Sequence, residues 1–162
     1  MLALAAMQGR TSLAVDALAR LRCRLEWPQP RIALGLALRG IASAALDVSD
    51  GLTGDLGHIL QMSQVGAALE LAAVPCDPAL AARLTGPERE LALACLLAGG
   101  DDYELCFTAP QASREAVLRA GTAAQVPVTR IGTITAEPGL RIHDEQGVPL
   151  STLPRAFDHF PA

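Results

Sequence analysis

Aromatic side chains are scarce in this sequence of 162 residues. Phenylalanine, tyrosine and tryptophan together make up 3% of it, although hydrophobic residues make up 51%. Its core must therefore consist mainly of alanine, leucine, valine and isoleucine, which argues against an aromatic-rich β-sandwich and favours helices packed on a sheet. A chain of this length typically forms one domain, so we predict a single domain over residues 1–162.

Two further absences argue against nucleic acid and membranes as binding partners. The 13 basic residues are scattered in a chain of net charge −4, without the basic stripe and interleaved aromatic residues typical of nucleic-acid-binding proteins. The sequence lacks a run of about 18 apolar residues, and its opening stretch "MLALAAMQGR" lacks the basic start of a signal peptide. We predict a soluble protein that contacts neither nucleic acid nor membrane.

Paired cysteine motifs are absent as well. Cys23, Cys76, Cys95 and Cys106 are widely spaced and form no CxxC pair, which argues against a zinc site. Reduced thiols are typical of intracellular proteins. We therefore expect free cysteines and a cytoplasmic location.

Helical periodicity is clear near the start of the chain. Leu18, Leu21 and Leu25 recur at helical spacing after Thr11, a candidate N-cap, and "WPQP" ends the pattern. The next segment, "RIALGLALRG", alternates like a strand but is rich in helix formers, and we interpret it as a helix closed by Gly40.

Two more predicted helices border acidic motifs. One begins at Ser49 or Asp50 and ends near Gly66, and the other is closed by Gly99 and Gly100. The predicted apolar face of the first helix is Leu52, Leu56, Ile59 and Leu60, and the spacing of Leu91, Cys95 and Ala98 marks the second helix.

Strand-like segments alternate with these helices. The segments "IASAALDV", "AALELAAV", "YELCFTA" and "PVTRIGTI" read as strands, and "PQASREAVLRAG" as a helix. "GLRIHDEQGVPL" predicts a hairpin around Asp144 to Gly147. The pattern predicts an α+β fold, an α/β sandwich in which a mixed, partly antiparallel sheet packs against helices.

The first acidic motif is "DVSDG", at the junction of a predicted strand and helix. Asp47 lies at the end of the strand and Asp50 at the start of the helix, so their carboxylates converge near free helix N–H groups. Such a place suits a divalent cation and phosphate oxygens. The alternative is structural: Ser49 or Asp50 caps the helix and Asp47 is a solvated strand end. Asp55, further into the helix, is interpreted as complementing the helix dipole.

The second acidic motif is "AGGDDYEL", where Asp101, Asp102 and Glu104 follow two glycines. It has no lysine and hydroxyl after the glycines and is therefore not a Walker loop. Its structural alternative is a glycine C-cap followed by a polar turn.

No general base is evident from the sequence. His58 is interpreted as a packing or flanking histidine, and His143 and His159 have no assignable partners. A G-x-S-x-G elbow is also absent, which argues against acyl chemistry.

Three segments in order, "DVSDGLTGDLGHIL", "GGDDYELCFT" and "RAFDHF", resemble thiamine-monophosphate kinase, specifically its C-terminal domain, within the aminoimidazole ribonucleotide synthetase-like superfamily. The resemblance covers almost the entire chain. It implies that Asp47 and Asp50 bind Mg²⁺, that Ser49 contacts ATP, and that Asp101 and Phe157 contact the thiamine substrate. The family commonly has Glu at the position of Asp101, which has the shorter side chain.

The reaction that the resemblance implies is transfer of a phosphoryl group from ATP to the phosphate of thiamine monophosphate, giving thiamine diphosphate. The acceptor phosphate has a second pKa of about 6, so it is already ionised and needs no dedicated base.

Family members carry an N-terminal domain that supplies further metal ligands and the interface of a homodimer. The opening stretch of this chain looks like a helix entered from an upstream segment. We therefore expect a C-terminal half that is inactive alone and binds metal and nucleotide weakly at most.

Two other functions remain open from the sequence. The chain could belong to another ATP-using enzyme of the same superfamily with a different phosphoryl acceptor. Alternatively, it could be a non-catalytic interaction module whose acidic residues are only caps.

Overall fold

Helices and strands alternate along the chain in the computed structural model, which describes residues 1–154 and 156. Among these residues, no helix combines the length and apolar character needed to cross a membrane. Two short 3-10 helices lie at Leu71–Ala73 and Gln111–Ser113. The helices are α1 (Leu2–Met7), α2 (Val15–Glu26), α3 (Ile32–Ala37), α4 (Leu52–Ser63), α5 (Pro78–Ala81), α6 (Arg89–Leu97) and α7 (Arg114–Ala124). The strands are β1 (Ala44–Asp47), β2 (Gly66–Glu70), β3 (Leu105–Thr108), β4 (Gly132–Thr135) and β5 (Gly139–His143).

The strands of the described residues form two sheets. In the first, β1 and β3 pair antiparallel, with Leu46 opposite Cys106. In the second, β2 is central, antiparallel to β4 and parallel to β5. Helices with mixed, partly antiparallel sheets confirm the predicted α+β class.

Helix α4 connects the two sheets. It contacts β1 and β3 of the first sheet, β5 of the second, and α6. Burial of an aliphatic side chain contributes roughly 1.5–3 kcal/mol, so its apolar face anchors α4 firmly, and the turn before its N-terminus is held with it. The predicted face is confirmed, because all four of its residues are buried: Leu52, Leu56, Ile59 and Leu60.

A smaller core lies between α3 and α7. These two helices pack against each other, and Leu34, Leu38 and Ala120 are its buried residues. Side chains of β3 complete it, so this core supports the back of the first sheet.

Several element boundaries differ from the sequence predictions. Helix α2 begins after Ala14, whereas the Thr11 hydroxyl donates to a Glu88 carboxylate oxygen at 2.6 Å. Helix α4 ends at Ser63, and Gln64 adopts the left-handed conformation with φ 54°, so Gly66 belongs to β2 and does not stop the helix. The segment "IASAALDV" is apolar enough to predict a buried strand, but β1 alternates partly buried and exposed residues.

The buried residues of α6 are not the ones whose spacing marks the helix in the sequence. Leu91, Cys95 and Ala98 are only partly buried. Leucine and alanine occur all around this helix, so apolar spacing alone fits more than one face. The residues that are buried are Ala92, Leu93, Leu96 and Leu97.

Helix α5 was not predicted, because its first residue belongs to "PCDP", which reads as a break. Asp77 caps this helix by accepting from the Ala79 N–H, and proline is tolerated at the first helical position. The predicted turn at Asp144 is confirmed, because the Gly147 N–H donates to the Asp144 carbonyl at 3.0 Å.

All four cysteines are free thiols, as predicted. Cys106 on β3 is buried, and this burial, reinforced by the charge of Asp55, raises the pKa of its thiol to about 11. A thiol with such a pKa is almost entirely protonated near neutral pH and is a poor nucleophile.

Candidate functional site

The two acidic motifs lie against each other. One turn joins β1 to α4, and the other joins α6 to β3. Hydrogen bonds between these turns continue the antiparallel pairing of β1 and β3 beyond the strands. The Val48 N–H donates to the Glu104 carbonyl at 2.8 Å, and the Tyr103 N–H donates to the Val48 carbonyl at 2.9 Å. A third bond, from the Asp101 N–H to the Ser49 carbonyl at 2.9 Å, joins the tips of the two motifs. The predicted acidic residues are thus gathered at one end of the first sheet.

Two glycines permit this close approach. Gly51 has φ +120°, and a Cβ added there would lie 2.6 Å from the carbonyl carbon of Ala98. A Cβ added at Gly100 would overlap the Ser49 carbonyl oxygen. A larger residue at either position would force the turns apart.

Asp55 holds the first turn together from inside the protein. Its side chain is buried, with 5% relative exposure. Its Oδ2 accepts the backbone N–H groups of Ser49 at 3.0 Å, Asp50 at 3.0 Å and Gly51 at 3.1 Å. Because α4 begins only at Leu52, Asp55 lies in the first turn and not further into the helix, and it binds the turn before the helix, which is more than a complement to the dipole.

The structural alternative for the first motif is wrong for the helix cap but correct for Asp47, which is an exposed strand end. Helix α4 begins after Gly51, so its N-cap residue is a glycine, which has no side chain to form a cap hydrogen bond. Asp47 is the exposed last residue of β1, whereas Ser49 and Asp50 are half-buried in the turn. Neither Ser49 nor Asp50 therefore occupies the N-cap position of α4.

Asp101 lies beside this turn in the left-handed backbone region, with φ +63°, and is exposed. Phe157 lies outside the described residues. Its described neighbour in sequence, Ala156, packs on α4, because a Cβ added at Gly54 would lie 2.6 Å from the Ala156 Cβ.

A small cleft of about 60 Å³ opens next to the second motif. Asp102 retains exposed surface there, yet surrounding atoms desolvate its carboxyl group and raise its pKa. The charge of Glu104 adds to this rise, and the amino terminus of Met1 opposes it. The cleft is lined by Met1, Leu2, Ala3, Leu21, Arg24, Leu25, Asp101 and Asp102.

Glu104 has a structural role. Arg31 donates to both of its carboxylate oxygens, at 2.8 and 2.7 Å, and Arg24 donates to Oε1 at 2.6 Å. The hydrogen bonds from Arg31, followed by its charge and that of Arg24, lower the pKa of Glu104 despite partial burial. The ion pairs tie α2 and the start of α3 to the second acidic turn. These partners could not be predicted from local sequence patterns, because they lie 80 and 73 residues away along the chain.

The pKa of Glu104 predicts a pH dependence of stability. A carboxyl whose pKa is lowered by folding stabilises the protein above its unfolded pKa, and this stabilisation is lost as the pH falls through the folded pKa. We expect Glu104→Gln to reduce the free energy of unfolding by about 1 kcal/mol at pH 7, and the difference to shrink below about pH 4. Urea denaturation at both pH values measures this.

The matched control is Glu137→Gln, because Glu137 pairs with Arg141 at 3.2 Å but is 85% exposed. It should change stability by less than about 0.5 kcal/mol. An effect of Glu104→Gln that stayed constant from pH 7 to acid would contradict the ionic origin.

The donor set suits part of a Mg²⁺ site. Among residues 1–154 and 156, no group of three or more His, Cys, Asp or Glu side chains is arranged to hold a metal ion. Mg²⁺, however, is commonly held by one or two carboxylates together with water and phosphate oxygens. Asp47 at the end of β1 and Asp50 in the turn that follows offer two such carboxylates.

Comparison with models of known protein families assigns this fold and site to one family. The family described as "AIR synthase related protein, C-terminal domain" matches residues 3–145. The chain belongs to this family.

Similar proteins include thiamine-monophosphate kinases. The enzyme of that name from Escherichia coli (strain K12) is 44% identical over 133 residues, which are 82% of this chain and 40% of the relative. The crystal structure of thiamine-monophosphate kinase from Stenotrophomonas maltophilia K279a has a TM-score of 0.76 and 43% identity, covering 86% of this chain and 45% of that one. The resemblance predicted from the motifs is confirmed.

The fold is shared with a more distant structure, AaThiL complexed with AMPPCP and TMP. It has a TM-score of 0.71 and 23% identity, covering 98% of this chain and 47% of that one. This chain thus spans less than half the length of the relatives that it matches.

Proposed function

We propose that this chain is the C-terminal domain of a thiamine-monophosphate kinase and forms part of the site that transfers a phosphoryl group from ATP to thiamine monophosphate. The identity of 44% to the Escherichia coli enzyme of that name supports the assignment. The observation that carries it is the hydrogen bond between Asp101 and Ser49, which brings together two motifs distant in sequence.

The proposed roles follow the chemistry of the first turn. Asp47 and Asp50 would hold Mg²⁺ through hard carboxylate oxygens, and Ser49 between them would contact ATP. Asp101 on the adjoining turn and Phe157 would contact the thiamine substrate. An aromatic ring suits a cationic heterocycle, because its face attracts positive charge.

The reaction needs no base from this chain. The acceptor phosphate of thiamine monophosphate ionises with a second pKa of about 6 and is itself the nucleophile near neutral pH. Bound Mg²⁺ would neutralise charge on the transferring phosphates. The residues of this chain would then act by binding and orienting the two substrates.

The proposal includes an N-terminal domain that supplies the remaining metal ligands and a homodimer interface. It is in line with the fraction of the relatives that this chain spans. The single-domain organisation over residues 1–162 and the cytoplasmic location stay predictions.

The double variant Asp47→Asn with Asp50→Asn tests the site. We expect the wild-type chain to bind Mg²⁺ and ATP weakly, and the double variant to bind them at least about tenfold more weakly, a difference of about 1.4 kcal/mol. Because asparagine is nearly the same size as aspartate and stabilises a helix start about equally well, unfolding free energies should differ by less than about 1 kcal/mol. Isothermal titration calorimetry and urea denaturation provide the two measurements.

The matched control is Glu115→Gln with Glu145→Gln, which removes two exposed negative charges elsewhere. Equal nucleotide affinity in the double Asn variant and wild type would refute the site and favour a non-catalytic module. Formation of thiamine diphosphate by the purified chain would contradict its being only part of the active site.

A further inference from the structure

Three consecutive backbone N–H groups converge on one buried oxygen in the first acidic turn. Those of Ser49, Asp50 and Gly51 all point to Oδ2 of Asp55, at distances between 3.0 and 3.1 Å. Successive N–H groups that converge in this way form a concave anion-binding site, the arrangement that many phosphate-binding loops use. In this chain the anion is already present, as a side chain of the protein.

The hydrogen bonds to Asp55 determine whether the turn attracts anions or cations. Because Asp55 occupies the N–H groups, they are not available to phosphate oxygens. The turn instead carries the carboxylates of Asp47 and Asp50 beside a buried third negative charge, and the region is suited to a cation.

We propose that Asp55 is a positioning residue that converts an anion-binding turn into a cation-binding one. It does so by filling the N–H site from inside and fixing the backbone that carries Asp47 and Asp50. Nucleotide phosphates would consequently reach this turn through the metal ion and the Ser49 hydroxyl, not through backbone N–H groups. The part of this inference that concerns Mg²⁺ rests on the proposed function.

The first test measures Mg²⁺ binding alone, by ¹⁵N NMR shifts of the amides of residues 47–51 during titration with MgCl₂. Asp55→Asn removes the charge at nearly constant shape and should weaken Mg²⁺ binding about tenfold to a hundredfold, the usual effect of losing a group that orients metal ligands. The matched control is Asp144→Asn, because Asp144 Oδ1 also accepts two backbone N–H groups, from Gln146 and Val148. It should leave Mg²⁺ affinity unchanged.

The second test restores the missing anion. Asp55→Ala leaves the N–H groups open, and sodium formate should raise its melting temperature above the value in sodium chloride of equal ionic strength. Wild type and Asp144→Ala should melt equally in the two salts. A general loss of structure would not produce a preference for a small carboxylate.

The two tests separate the role of Asp55 from the existence of the metal site. Wild-type Mg²⁺ affinity in folded Asp55→Asn, or an equal effect of formate and chloride on Asp55→Ala, overturns the role of Asp55 and leaves the proposed kinase function intact. Absence of Mg²⁺-induced shifts in the wild type, together with formate rescue, refutes the metal site but supports the internal anion. If Asp55→Asn fails to fold, the formate comparison on Asp55→Ala decides.

Discussion

Replacement of Gly51 by alanine should lower the free energy of unfolding by about 4 kcal/mol. Two effects add at this residue. Its φ of +120° with ψ 147° lies in a region that is open essentially only to glycine. The new Cβ would also lie 2.6 Å from the carbonyl carbon of Ala98 and 2.8 Å from its oxygen, and backbone atoms cannot rotate away as side chains can. Urea denaturation followed by circular dichroism measures the loss.

The same helix provides the control for this prediction. Gly57 lies in the interior of α4 and has nothing within 4 Å of its ideal Cβ position. Gly57→Ala should therefore stabilise the protein by about 0.5–1 kcal/mol, because alanine has the higher helix propensity. If Gly51→Ala lost less than about 1 kcal/mol, the close packing of the turn on α6 would not be as the structure shows it.

The contrast between α4 and α6 shows what apolar spacing can predict. In α4, glycine, threonine, aspartate and glutamine separate the leucines, so the spacing of Leu52, Leu56 and Ile59 defined one face, and these residues are buried. In α6, every residue from Leu91 onward except Cys95 is leucine or alanine, and the buried side was set by contacts with α4 and α5. Local sequence specifies a face only where polar residues exclude the others.

In the candidate site, too, some features could be predicted from local sequence and others could not. That Asp47 and Asp50 lie at a strand–helix junction followed from local pattern, because a strand and a helix face were both recognisable. The role of Glu104 did not follow from local pattern, because Arg24 and Arg31 reach it only after the chain has folded. Asp55 had a partial signal: acidic side chains near the start of a helix can reach back to the N-cap backbone, although the familiar spacing is three residues and here it is four.

Asp55→Ala should lower the free energy of unfolding by about 3 kcal/mol, the second largest loss that we expect. The substitution leaves three backbone N–H groups without their acceptor. The Gly51 residue is buried, whereas Ser49 and Asp50 are half-buried, so water can replace only part of what is lost. Thermal and urea denaturation of the variant measure the effect.

The control for this prediction is Asp144→Ala. It removes a comparable set of hydrogen bonds, but from a turn that is open to water. Asp144 accepts two backbone N–H groups in an exposed turn, where water can take its place, so the loss there should stay below about 1 kcal/mol. Equal losses in the two variants would mean that the number of hydrogen bonds, and not their burial, determines the effect. A larger loss at Asp55 would show that the turn carrying the proposed metal ligands depends on a carboxylate closed off from water.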